Sequence, residues 1–320
     1  MRPSPTEPVT LQPEERKDEL TAVAAFMRVK GLPGHRLASI MEQFGSAARL
    51  VNWSRSGHLL IADDRVPTLI PRITAKQRDV ATREVSGWIE RGLDVRTVLD
   101  PAYPRNLHDV FDRPPLIFIA GQWIEERDAR SVAVVGSRAA SEEGLRRATR
   151  LSRELVDLGF TVVSGLAQGI DSAAHIGALR AGGRTVAVMG TGLDHRYPKR
   201  NAKLADHILS DGGALLTQFF PHQGPRPWTF PMRNVVMSGL ALATVVVEAG
   251  HTSGARMQAR MALYHGRAVF LLHSLVERHE WAREYVEEGA YGTRAIPINT
   301  TAEIVQRLEG DGISRIPLAV

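Results

Sequence analysis

The sequence predicts an α/β protein, a doubly wound and mostly parallel sheet preceded by a small all-helical domain. Three observations carry this prediction. Six short apolar runs alternate with helical segments between Val132 and Leu272, and these runs are continuous, as strands covered by helices on both faces require. Twice between Val132 and Asp171 a run rich in β-branched residues stops at a glycine-containing turn and gives way to a helical pattern. Between Glu19 and Leu60 apolar residues recur at helical spacing instead.

At 320 residues, 43% hydrophobic and 23% charged, the chain has the composition of a soluble globular protein with room for one large core or two domains. It has no cysteine, which excludes disulfides, thiolate metal sites and a cysteine nucleophile and suits a cytoplasmic location. No apolar run approaches the ~20 residues of a membrane span, and the first residues lack the apolar core of a signal peptide. The net charge of +5 is almost all arginine, because lysine occurs only at positions 17, 30, 76, 199 and 203. Arginine favours bidentate phosphate contacts, so the balance points to a polyanionic partner, although a GC-rich genome produces the same bias.

Residues 1–14, with four prolines, are expected to form a disordered leader. A helical domain follows over 15–95. Leu20, Val23, Phe26 and Met27 mark one helix; Leu37, Ile40, Met41 and Phe44 mark the next; and Lys76–Arg91 marks another. The intervening Val29–Arg36 stretch resembles the glycine-rich turn of helix-hairpin-helix and SAM-like domains. Tyr103–Gly121 carries prolines into a short apolar edge strand. The main domain spans 96–298. Its strands are placed at Val132–Val135, Phe160–Val163, Thr185–Met189, Ala214–Thr217, Thr244–Glu248 and Ala268–Leu272. The helix after the first strand should begin at the N-cap Ser141, carry Glu142 and Glu143 against the helix dipole, and bury Leu145, Ala148, Leu151, Leu155 and Leu158 before Gly159. Further helices are expected at Trp281–Glu288 and Thr301–Leu308, the latter in a tail of 299–320 without a winged-helix domain.

A parallel sheet brings the C-terminal strand ends to one edge, where helix N-termini can hold an anion. The turns there are Gly136-Ser-Arg138, Ser164–Asp171, Gly190–Asp194, Pro231–Asn234 and Glu248–Arg256. Their small residues permit close approach, and their hydroxyls, backbone N–H groups and arginines suit phosphate oxygens. The structural alternative is that the glycines make tight turns and that Asp171 and Thr252 cap helices. G-x-G-x-x-G, its ribose-binding acid and G-x-x-x-x-G-K-[ST] are absent, which disfavours dinucleotide oxidoreduction and P-loop hydrolysis. Histidines 175, 195, 251 and 265 form no metal spacing, and His175 is expected to be packed. Glu248 at a strand end has the chemistry of a base, but no nucleophile is placed opposite it. The expectation is a binding site, with no catalysis, metal or cofactor.

Val-Gly-Ser-Arg138, Ser-Gly-Leu-Ala-x-Gly-Ile-Asp171 with Ala174-His175, Gly-Thr-Gly-Leu-Asp194 with Tyr197-Pro-x-x-Asn201, Phe230-Pro-x-Arg-Asn234 with Ser238-Gly-Leu240, and Val-Val-Glu-Ala249 with Ser253-Gly254 and Ala259-Arg260 resemble, in order and spacing, the DNA-processing protein A family (DprA, also called Smf). The resemblance covers about residues 100–272. It implies an extended Rossmann domain that binds single-stranded DNA without cutting it, protects incoming DNA in natural transformation, and passes it to a RecA-type recombinase, with dimerisation at the end of the sheet. Carried onto these positions, it implies that Ser137 and Arg138 take a backbone phosphate, that Gly165 and Gly169 allow close approach, that Arg233 and Asn234 contact phosphate or base, and that Ser253, Gly254 and Arg256 close the site at a helix N-terminus. Phe230, and Trp228 beside it, offer faces for base stacking.

Three departures stand out: Val235 replaces an arginine after the Arg-Asn pair, His273-Ser274 replaces a Pro-Gly turn, and Leu275–Ala282 replaces a glycine-asparagine segment. Two other readings therefore stay open. One is a nucleotide-ligand sensor or nucleotide hydrolase of the same superfamily, whose Pro-Gly-Gly-x-Gly-Thr-x-x-Glu turn is here Glu248-Ala-Gly-His-Thr-Ser-Gly254. The other is a divergent paralogue acting against mobile DNA.

Overall fold

The computed structural model describes residues 12–54, 59–61, 68–70 and 72–310; residues 1–11 of the expected leader and the tail beyond 310 lie outside this set. The chain forms two compact units, Met1–Tyr103 with Asp112–Ile117 and Pro104–Phe111 with Phe118–Val320.

The first unit holds α1 (Pro13–Phe26), α2 (Gly34–Phe44), α3 (Ala47–Ser54), an antiparallel pair β1 (Leu59–Ile61) and β2 (Thr68–Ile70), α4 (Ala75–Glu90) and β3 (Asp94–Thr97). Helix α1 starts inside the stretch expected to be disordered. Pro13 sits at its first position, where its missing N–H is no loss, and Gln12 and Glu15 form a capping box. Leu20, Val23 and Phe26 are buried on α1, which packs against the Ala81, Val85 and Trp88 face of α4. The buried Glu19 accepts bonds from the Ala47 and Ala48 N–H groups and the Ser46 hydroxyl, so one helix caps the start of another.

The second unit contains α5 (Arg105–His108), β4 (Leu116–Gly121), α6 (Glu125–Asp128), β5 (Ser131–Gly136), α7 (Glu142–Asp157), β6 (Thr161–Ser164), α8 (Ile170–Arg180), β7 (Thr185–Val188), a 3-10 turn at Lys199–Asn201, α9 (Ala202–Ser210), β8 (Ala214–Thr217), α10 (Thr229–Leu240), β9 (Ala243–Glu248), α11 (Gly254–Tyr264), β10 (Ala268–Leu272), α12 (His273–Arg278), α13 (Glu280–Glu287), β11 (Ile296–Ile298) and α14 (Thr301–Gly310). Its sheet runs in the order β11-β10-β9-β5-β6-β7-β8-β4. The strands are parallel except β4, which pairs antiparallel with β8.

Strand β5 decides where a ligand can bind. It pairs with β6 on one side and β9 on the other, so the chain winds outward in both directions from it. The helices after β5 and β9 leave a crevice between their strand ends, the usual ligand position in an open α/β sheet. Val132, Val134, Val162, Val245 and Phe270 fill the core beneath, with Ala148, Leu151 and Leu155 of α7 packed over them.

Local chemistry accounts for α7 as expected at its start: the Ser141 hydroxyl accepts from the Gly144 N–H at 3.0 Å. Its end differs. Leu158 is 42% exposed because the helix stops at Asp157 and Gly159, at φ +77°, turns the chain away. Strand β11 is a further difference. Its three residues Ile-Pro-Ile are too short to signal a strand alone, and they become one by pairing with Phe270–Leu272.

Candidate functional site

The turn after β5 is tied to its surroundings by backbone bonds. The Ser137 N–H donates to the Glu248 carbonyl at 2.6 Å, and the Ile170 N–H donates to the Ser137 carbonyl at 3.2 Å. These bonds hold the ends of β5 and β9 and the start of α8 together. A Cβ on Gly169 (φ +74°) would lie 2.2 Å from the Ser137 carbonyl oxygen. A Cβ on Gly165 would lie 1.3 Å from Nη1 of Arg233. The close approach expected at Gly165 and Gly169 is thus an approach of the protein to itself, and neither residue lines the groove.

Arg233 projects from α10 and is 7% exposed. Nη1 donates to the Val188 carbonyl at 3.3 Å, while Nε is buried without a partner. Burial lowers its pKa, the Asp171 carboxylate works against that, and the Arg138 charge adds to the lowering. Asp171 is also buried. It accepts from the N–H groups of Gly165 and Ala167 at 3.2 and 3.3 Å, so it shapes the 164–171 turn from within and does not merely cap α8. Burial raises its pKa, opposed by Arg233 and these backbone donors. Two N–H groups that the sequence offered to an anion are therefore already occupied.

A groove of about 610 Å³ opens above these groups. Ser137 and Arg138 enter it from β5, Phe230, Arg233 and Asn234 from α10, and Ser253, Gly254 and Gln258 from α11. Arg138 is exposed, with its guanidinium 5.5 Å from the centre of the Phe230 ring, a cation-π arrangement. The Phe230 ring packs beside Tyr197 at 5.9 Å. Gly190 makes room for it, since a Cβ there would sit 2.7 Å from the ring. Asn234 is 5% exposed, and its side chain makes no hydrogen bond with a described residue. The Ser253 hydroxyl caps α11 by accepting from the Ala255 N–H at 3.1 Å.

Other expected members lie elsewhere. Arg256 turns away from the groove: Nη1 bonds His251, and its guanidinium lies 5.8 Å from the Trp281 ring. Trp228 is exposed and packs edge-on to Phe219 at 5.7 Å, outside the groove lining. The Gly190–Asp194 turn faces the segment after β8, with the Asp194 N–H donating to the Pro221 carbonyl at 3.0 Å.

The Glu248 carboxylate takes the Ser141 hydroxyl at 2.6 Å and the Ser141 N–H at 3.1 Å, which makes it an anchor for the start of α7. His175 is fully buried. The Thr185 hydroxyl donates to the Val162 carbonyl at 2.7 Å, so it accepts from His175 Nδ1, also at 2.7 Å. Burial, then the Arg233 charge, lowers the His175 pKa to about 3. Among the described residues no three His, Asp or Glu side chains are placed to hold a metal ion. Sequence reasoning missed Gln258, and it placed Gly190 at the edge without its role of making room for the Phe230 ring. Gln258 had a signal, since Gly254 and Gln258 are one helical turn apart; the Gly190 contact had none, because its partner ring comes from α10.

The model of the family described as DNA recombination-mediator protein A matches residues 94–308. The DNA processing protein DprA of Streptococcus pneumoniae is 40% identical over 176 residues, covering 55% of this chain and 61% of that protein. The protein Smf of Escherichia coli K12 is 42% identical over 170 residues, covering 53% and 45%. The chain thus spans about half to three fifths of the length of these curated relatives. The X-ray structure of S. pneumoniae DprA superposes with a TM-score of 0.69 at 26% identity over 92% of this chain and 98% of that one. A Helicobacter pylori DprA structure, described for the single-stranded DNA binding mode of that protein, superposes with a TM-score of 0.58 at 25% identity over 68% of this chain and 97% of that one.

Proposed function

Because the chain belongs to the DNA recombination-mediator protein A family, we propose that it binds single-stranded DNA in the groove between the ends of β5 and β9 and does so without cutting it. One observation carries this reading. Arg138, which makes no ion pair among the described residues, and the buried Arg233 face one groove together with the Phe230 ring. Cations for the phosphates and a ring for a base are the two elements of single-strand binding. Arg138 and Ser137 take one backbone phosphate. Arg233 supplies a second, fixed positive charge, and the start of α11 at Ser253 and Gly254 adds its dipole. Phe230 stacks on a base.

Binding without cleavage fits the occupied acids. Asp171 lines the groove but holds the turn N–H groups of Gly165 and Ala167, and Glu248 holds Ser141, so each acid has a structural partner. The same reading extends to protection of incoming DNA during transformation, to its transfer to a RecA-type recombinase and to action as a homodimer in the cytoplasm; of these, only a part in recombination draws support from the family's description.

The groove volume of about 610 Å³ also suits a small ligand, which favours a nucleotide-sensing site as the second reading. Titration of a labelled oligothymidine at several salt concentrations, beside a nuclease control, separates the two. Expected is tight, salt-dependent binding with an intact oligomer, weakened sharply in the Arg138→Ala, Arg233→Ala double variant. Retention of a mononucleotide by a protein that ignores single strands would overturn the DNA reading.

A further inference from the structure

We propose that Gln258 and Asn234 act as an amide pair that hydrogen-bonds the edge of one nucleobase, so that the groove holds a strand by a base as well as by phosphates. The proposal rests on the reading of this groove as a single-strand site.

Gln258 lies on α11, one turn after Gly254, and lines the groove. It is 1% exposed, and neither Oε1 nor Nε2 has a hydrogen-bond partner. Asn234, on the adjacent α10, is 5% exposed and lines the same groove, and its side chain makes no hydrogen bond with a described residue. A buried amide with both ends unpaired opposes folding, because it loses its water bonds and regains nothing. Gln258 meets that condition at both ends, and the Asn234 amide faces the same groove from the neighbouring helix, a pattern of groups kept for a partner outside the chain.

The chemistry of the amides selects the partner. Each side chain presents one carbonyl acceptor and two N–H donors in a plane. A phosphate offers acceptors alone and leaves both carbonyls unmatched. A base edge offers a donor and an acceptor side by side, such as N6–H and N7 of adenine or N3–H and O4 of thymine, and it satisfies both ends of an amide. The two cations, Arg138 and Arg233, are the groups suited to phosphate, and the amides add no charge that a phosphate needs.

The test compares an oligothymidine with an abasic oligomer of the same length, each titrated at several salt concentrations against wild type and Gln258→Leu. Wild type is expected to prefer the base-bearing strand. In Gln258→Leu that preference shrinks about tenfold, while the salt dependence stays the same and the melting midpoint is unchanged or higher. Asn234→Leu gives an independent arm with the same expected loss of preference. An unchanged preference in both variants, with strand binding intact, overturns the amide pair alone. Failure of wild type to bind either strand overturns the single-strand reading and the amide pair with it.

Discussion

Gly165 and Arg233 share one space: a Cβ on the glycine would lie 1.3 Å from Nη1 of the arginine. The guanidinium has its position because the turn after β6 has no side chain there. Gly165→Ala is expected to displace Arg233, weaken oligothymidine binding about tenfold or more, and destabilise the fold by about 1–3 kcal/mol, the usual effect of overpacking. Anisotropy titration and thermal unfolding read both effects. Wild-type affinity in this variant would show that Arg233 is not held for the ligand.

Arg138 differs from Arg233 in being exposed and unpaired among the described residues. Arg138→Ala should leave the melting midpoint in place. It should reduce the slope of log affinity against log salt by about 0.7, the value for one lost contact to a single-strand phosphate. A slope equal to wild type would remove Arg138 from the phosphate contacts.

Phe230 and Trp228 make a paired comparison. The first lies in the groove under Arg138, and the second packs on Phe219 away from it. Phe230→Ala is expected to lose about 1–3 kcal/mol of strand binding, the contribution of one stacked base, whereas Trp228→Ala should bind within about twofold of wild type on the same scale. Equal losses from both would move the stacking site.

His175 is held neutral, with its pKa lowered to about 3 by burial and by Arg233. Between about pH 6.5 and 3 the unfolded chain binds a proton that the folded chain refuses, so this contribution to stability is complete above pH 6.5 and is lost as pH falls toward 3. Asp171, whose pKa is raised by burial, acts with the opposite sign as pH rises above the ordinary carboxylate range. It is present in both proteins and cancels in a comparison with His175→Gln. The variant should lack up to about 1.4 kcal/mol per pH unit of the wild-type slope in this window. Denaturant unfolding at a series of pH values measures it, and parallel pH profiles would contradict the burial of a neutral imidazole.

Local pattern was enough to locate the strands from Val132 to Leu272, the cap at Ser141, and the edge segments that carry Ser137, Arg138, Arg233, Asn234, Ser253 and Gly254, because periodicity, turn glycines and caps act over a few residues, whereas Phe230 came only from the family resemblance. What pairing and packing decide lay beyond it. Ile296–Ile298 is a strand only because β10 lies beside it. Gly165 and Gly169 look like openings for a ligand, yet the space belongs to Arg233 and the Ser137 carbonyl, which come from distant parts of the chain. Arg256 follows Gly254 by two residues, and that step on a helix turns it through about half a circle, away from the groove and toward Trp281. The sequence by itself determined the doubly wound sheet and the residues gathered at its edge. Tertiary structure alone decided which of them face the groove, since that depends on helix rotation and on contacts between residues far apart in the chain.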